Sequence, residues 1–76
     1  MTLERHFPLA LREAARIMDE GEKTHDTHWG QETWAYIEHH LDGHYEAYKA
    51  NDFTEDHLGH LLCRVLMLVE MKEGER

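Results

Sequence analysis

The feature that most constrains this chain is its C-terminal third. There Leu58, Leu61, Leu62, Val65, Leu68 and Val69 recur at helical spacing, and Leu66, Met67 and Met71 carry apolar character well around the same cylinder. A helix this apolar needs cover on more than one side, and a chain of 76 residues has little else to offer it. The sequence therefore predicts an all-α fold. The expected architecture is a small three-helix domain, a helical hairpin plus one leading helix, completed by homo-oligomerisation with a symmetric homodimer as the simplest case. β-branched residues do not alternate in runs, and no repeat or linker divides the chain. Residues 1–76 read as a single helical domain.

Helix ends are readable. The leading helix is expected over about 8–20, with Pro8 at a first helical position and Gly21 just past the end. Leu11, Ala14, Ala15 and Met18 give it one buried face. Residues 22–31 are polar and form a long loop holding His25, Asp26, His28, Trp29 and Gly30; loops of that length often carry function. The second helix is expected over about 32–50. Trp34, Ile37, Leu41, His44, Tyr45 and Tyr48 share its buried stripe, with Glu38, Asp42 and Glu46 on a neighbouring acidic one. Gly43 interrupts it at a cost of about 1 kcal/mol relative to Ala, unless close packing uses the missing side chain. The third helix is expected over about 54–72, with Thr54 as N-cap, Glu55 and Asp56 in the first turn and Phe53 stapled on Leu58.

Charge and cysteine content exclude several classes. A formal charge of -8 argues against nucleic acid as a partner, since phosphate contacts need clustered Lys and Arg. Cys63 is the single cysteine, so no internal disulfide forms. No apolar run approaches the roughly 20 residues of a membrane span, and Met1–Phe7 lacks a signal-peptide core. The expected setting is cytoplasmic, without membrane attachment.

The chemistry concentrates where the second and third helices meet: Asp52, Glu55, Asp56, His57 and His60. His57 and His60, three apart, project from one helical face, and Arg64 continues that stripe. If the two helices form an antiparallel hairpin, His44 and His60 approach each other across it. Imidazole nitrogens with carboxylate oxygens suit a divalent metal: Mg²⁺ or Mn²⁺ first, with Zn²⁺ also compatible. Asp52, Asp56, His57 and His60 are the candidate metal ligands, and His44, His57 and His60 the candidate catalytic groups. Glu38, Asp42 and Glu46 form a second acidic candidate, or simply a solvated face. Trp29 is the candidate for stacking on a ligand, and Arg64 for contacting its phosphates. The same histidines would also suit structural pairing with the abundant carboxylates.

The order of these features resembles a known family. Ala10–Ile17, the loop His25–Gly30 with its tryptophan before a glycine, and His57–Glu70 with its His-Leu-Gly-His opening are similar to the N-terminal domain of phage-associated dATP/dGTP diphosphohydrolases. The likeness spans residues 8–70 and carries over to Trp29, His44, Asp52, His57 and His60. It implies metal-dependent hydrolysis of a deoxypurine nucleoside triphosphate to the monophosphate and pyrophosphate, with a small-molecule nucleotide as partner. Two departures stand out: Gly43 occupies the place of a basic residue, and the acidic turn before His57 is short. The alternative function is a non-enzymatic, homo-oligomeric binding or assembly module with a structural histidine–carboxylate or metal site.

Overall fold

Pro8 opens the long leading helix, where its fixed φ and missing N–H cost nothing. The computed structural model describes residues 2–24 and 28–74. Within them lie α1 (Leu3–His6), α2 (Pro8–Thr24), a 3₁₀ turn (Trp29–Gln31), α3 (Trp34–Lys49) and α4 (His57–Gly74). Among the described residues there is no strand, so the domain is all-α. None of these helices is long and apolar enough to cross a membrane. α1, a single turn ahead of Pro8, is an addition to the three expected helices.

Three boundaries differ from expectation, each for a local reason. α2 runs through Gly21 to Thr24, whose hydroxyl donates to the Glu20 carbonyl at 3.0 Å and finishes the last turn. Gly21 is therefore an interior helical residue, not a C-terminal cap. α3 begins after Thr33, whose Oγ1 accepts from the Tyr36 N–H at 3.1 Å. α4 begins at His57, because Asp56 and not Thr54 is its cap: Asp56 Oδ1 accepts the Gly59 N–H at 2.9 Å. Phe53 is 87% exposed and staples nothing. His25 and Asp26 lie outside the described residues.

The core is Ala14 and Ile17 of α2, Ile37 of α3, and Cys63 and Met67 of α4. Met18, Trp29, Leu62, Leu68 and Met71 pack around it. α2 and α3 both lean on α4 and do not approach each other. The face of α4 turned inward thus centres on Cys63 and Met67. The opposite stripe, with Leu58, Val65, Leu66 and Val69, stays between 42% and 53% exposed. On α2, Ala15 is exposed and Ile17 takes the core position. Trp34, Tyr45 and Tyr48, expected inside, are each more than two-fifths exposed, leaving Ile37 as the fully buried residue of α3.

Two glycines on facing helices differ in kind. A Cβ on Gly59 would sit 2.7 Å from Ile17 Cδ1 and collide with the Asp56 carboxylate, so α2 and α4 approach closely there because the side chain is missing. A Cβ on Gly43 would meet nothing within 4 Å. Gly59→Ala is therefore expected to destabilise the fold by about 1–3 kcal/mol through overpacking. Gly43→Ala is expected to stabilise it by up to about 1 kcal/mol. Urea unfolding of the two variants checks this, and shifts of the same sign would contradict the packing described.

Candidate metal centre

The site is built by the way the chain leaves α3. Ala50 ends the helix, and Asn51 follows in the left-handed region at φ 59°. The Asn51 N–H returns to the Tyr48 carbonyl and the Asp52 N–H to the Ala47 carbonyl, both at 3.1 Å. This is the paired closure of a Schellman motif, with asparagine in the position glycine usually takes. The reversal brings Asp52 back toward the incoming α4. Asp52 Oδ1 then accepts from the Thr54 N–H at 3.0 Å and its hydroxyl at 2.7 Å, an Asx turn that fixes the carboxylate. Its other oxygen is left for His57.

His57, the first residue of α4, lies 3.1 Å from Asp52 Oδ2 through Nε2. An ionised carboxylate only accepts, so Nε2 carries the proton, and in the neutral ring Nδ1 is a lone pair. That lone pair lies 2.9 Å from Nδ1 of His44 on α3. One hydrogen fits between the two nitrogens, donated by His44. Glu55 Oε1 completes the triangle at 3.3 Å from His57 Nδ1 and 3.7 Å from His44 Nδ1. The His57 and His44 side chains are 10% and 15% exposed, while Glu55 is 50% exposed. Two nearly buried imidazoles thus face one solvent-accessible carboxylate. These three residues could hold a metal ion.

His60 stands one turn further along α4. Its ring stacks on His44 with centroids 4.9 Å apart, the cross-hairpin approach expected for an antiparallel pair. Its Nδ1 donates to the Asp56 carbonyl at 2.7 Å, which leaves Nε2 as a lone pair. Asp56 itself is occupied as the cap of α4 and is not among the grouped ligand atoms. Glu13 of α2 has its carboxyl held down to about 2, chiefly by the Arg16 guanidinium 2.6 Å away.

Trp29 and Arg64 lie on the other flank of His60. With His60, Ile17, Cys63 and Met67 they line a cleft of about 220 Å³ between α2 and α4. Arg64 Nη1 donates to Glu32 Oε2 at 3.0 Å, both side chains 17% exposed, tying α4 to the segment before α3. A second, more open depression of about 410 Å³, lined by Tyr48, Phe53, Asp52 and His57, lies on the Glu55 side. Glu38 and Glu46 of the acidic stripe are engaged elsewhere: Glu38 accepts from the Trp34 indole at 3.4 Å, and Glu46 pairs with Lys49 at 3.1 Å. That stripe does not join the histidines.

The sequence-derived set is therefore rearranged. His44, His57 and His60 come together, Asp52 stands behind His57, Asp56 caps the helix, and Glu55 joins His44 and His57 in the group that could hold a metal ion. The signal that would have found this geometry is Asn51, since an asparagine after a helix marks a left-handed reversal. Comparison with family models, curated proteins and solved structures finds no match to this chain.

The electrostatics give a pH dependence with a definite sign. Burial, followed by the neighbouring charge of His60, lowers the pKa of His44 below its ordinary 6.5. Unfolded His44 then takes up a proton before folded His44 does, so this group makes stability fall as pH drops through 6.5. Asp52 is held to about 2 against 3.8, chiefly by the Thr54 hydroxyl and N–H and then by His57. Its contribution is present above pH 3.8 and is lost as pH falls toward 2. Thermal unfolding of metal-free protein from pH 7.5 to 5.5 should show declining stability, with a shallower slope in His44→Gln. An unchanged slope in that variant would contradict the assignment.

Proposed function

We propose that this chain is a metal-dependent hydrolase of deoxypurine nucleoside triphosphates, releasing pyrophosphate and the monophosphate. The observation that carries the reading is the ligand set His44, Glu55 and His57. Two imidazoles and a carboxylate on one side with solvent on the other is the composition of a catalytic site; structural sites are closed by a fourth protein ligand. The substrate class comes from the resemblance in Ala10–Ile17, His25–Gly30 and His57–Glu70.

A divalent cation at this position supplies charge neutralisation for the phosphates and lowers the pKa of water beside it. The chain's own residues do the rest. Trp29 stacks on the base within the cleft, and the phosphates extend past His60 toward His44 and His57. At about 220 Å³ the cleft is smaller than the roughly 300–1,000 Å³ that enclose a whole drug-sized ligand, which suits a base with its phosphates outside. His60 Nε2, its ring fixed by Asp56 and by the stack on His44, takes the proton from water as the water oxygen bonds to the α-phosphorus. The bond from that phosphorus to the bridging oxygen breaks, and pyrophosphate leaves with its electrons. Arg64 steadies the mouth of the cleft through Glu32.

A second reading has its own observation. The outer stripe of α4, Leu58, Val65, Leu66 and Val69, leaves four large apolar side chains about half exposed, and it suits a homo-oligomeric assembly module. In that reading the histidines hold the hairpin together and turn nothing over.

Pyrophosphate release is measured with dATP, dGTP and the other nucleotides in the presence of Mg²⁺, Mn²⁺, Co²⁺ or Zn²⁺. Metal-dependent release is expected, reduced by at least about 100-fold in His60→Ala, where the proton acceptor is lost. No release from any nucleotide with any of these ions would remove the hydrolase reading. Sedimentation addresses the second reading: a dimer is expected that Val69→Glu converts to monomer, and a monomeric wild type would contradict it.

A further inference from the structure

We infer that the cation of this site is a transition metal of the zinc class, held by His44 Nδ1, His57 Nδ1 and Glu55 Oε1, with Asp52 as the residue that aims His57. The inference rests on the reading of these residues as a metal centre and names the metal. The three ligand atoms are separated by 2.9, 3.3 and 3.7 Å. Around one ion at bond lengths of roughly 2.0–2.1 Å, a tetrahedral edge is about 3.3–3.4 Å. The observed triangle brackets that edge, so one ion fits with adjustments of a few tenths of an ångström.

The donor chemistry decides between metals. Mg²⁺ takes oxygen ligands, keeps several of its waters and dehydrates reluctantly, and here two of the three donors are imidazole nitrogens. Imidazole with carboxylate suits zinc, cobalt, nickel or iron. The open fourth position faces the exposed Glu55 side, where the second depression provides access.

A second observation, independent of the triangle, is the hydrogen bond from His57 Nε2 to Asp52 Oδ2. It fixes the tautomer whose lone pair points at His44, and a carboxylate behind a ligating histidine is the usual outer partner of such sites. Asp52 is itself held in place by Thr54. The orientation of His57 is thus set before any ion arrives. What the ion displaces is the one hydrogen between the two Nδ1 atoms, and His44 then carries its proton on Nε2.

The ligands come from α3, from the connecting turn and from the first residue of α4, so the ion would fasten the hairpin at its closed end. Binding to the folded chain alone raises the melting temperature by mass action.

The test titrates the whole chain with Co²⁺, whose visible absorption distinguishes four-coordinate from six-coordinate sites, and then with Zn²⁺ and Mg²⁺ as competitors. One equivalent of Co²⁺ is expected to give the intense four-coordinate bands, one equivalent of Zn²⁺ to remove them, and millimolar Mg²⁺ to leave them. Glu55→Gln, at an exposed position that does not threaten folding, should weaken binding at least about 10-fold, and Asp52→Asn about 10–100-fold with the bands retained. His39→Ala, on the exposed side of α3, should change nothing. Six-coordinate spectra only, equal competition by Mg²⁺, or bands unaffected by both Glu55→Gln and His57→Ala would overturn the inference. The hydrolase reading fails separately: a bound zinc-class ion with no pyrophosphate release removes that reading and leaves the site. Release with Mg²⁺ alone and no Co²⁺ spectrum does the reverse.

Discussion

Two histidine nitrogens 2.9 Å apart, on the facing ends of α3 and α4, set the terms for the rest of this molecule. Imidazoles this close tolerate one shared hydrogen, or one cation in its place, but not a proton on each nitrogen. Three residues of the connecting segment keep them there. Asn51 reverses the chain, Asp52 is locked by Thr54, and the free oxygen of Asp52 holds the far nitrogen of His57. The same reversal carries Glu55 to the open side, so one stretch of six residues supplies a candidate ligand, the carboxylate that holds His57 and the start of α4.

The second constraint is the economy of the core. Among the described residues five are buried and α2 and α3 meet only through α4, which makes α4 the element on which the other two depend. Gly59 is where α2 comes closest, and the Arg64–Glu32 pair ties the segment before α3 to the same helix. A domain of this size with so small a core gains in proportion from any ion or partner that its folded form alone binds. A cation at the closed end of the hairpin and a partner on the outer face of α4 are the two contributions proposed above, at opposite demands of chemistry: nitrogen and oxygen donors for one, plain apolar surface for the other.

The helical character of the chain was legible because the apolar spacing and Pro8 are local signals. The facing of α4 was not. Apolar residues fill every position from Val65 to Val69, so periodicity cannot choose between the stripe of Leu58, Val65 and Val69 and that of Cys63 and Met67; packing of Ile17 and Ile37 makes the choice. Of the site, the approach of His44 and His60 followed from the hairpin alone; the pairing of Asp52 with His57 depends on the left-handed turn at Asn51, which helical spacing does not register. Asp56 became the cap in place of Thr54 because helix starts are set by which side chain reaches the third N–H, and a two-residue shift there turns an expected ligand into a cap. The partnership of Arg64 with Glu32, 32 residues away, leaves no mark in local spacing.

Anomalous X-ray scattering at the zinc edge from zinc-loaded crystals would locate one ion between His44, Glu55 and His57. A single strong peak is expected about 2.0–2.2 Å from His44 Nδ1, His57 Nδ1 and Glu55 Oε1, with Asp52 still bound to His57 Nε2. A peak held by other residues, or none at these atoms while the hairpin remains folded, would contradict it.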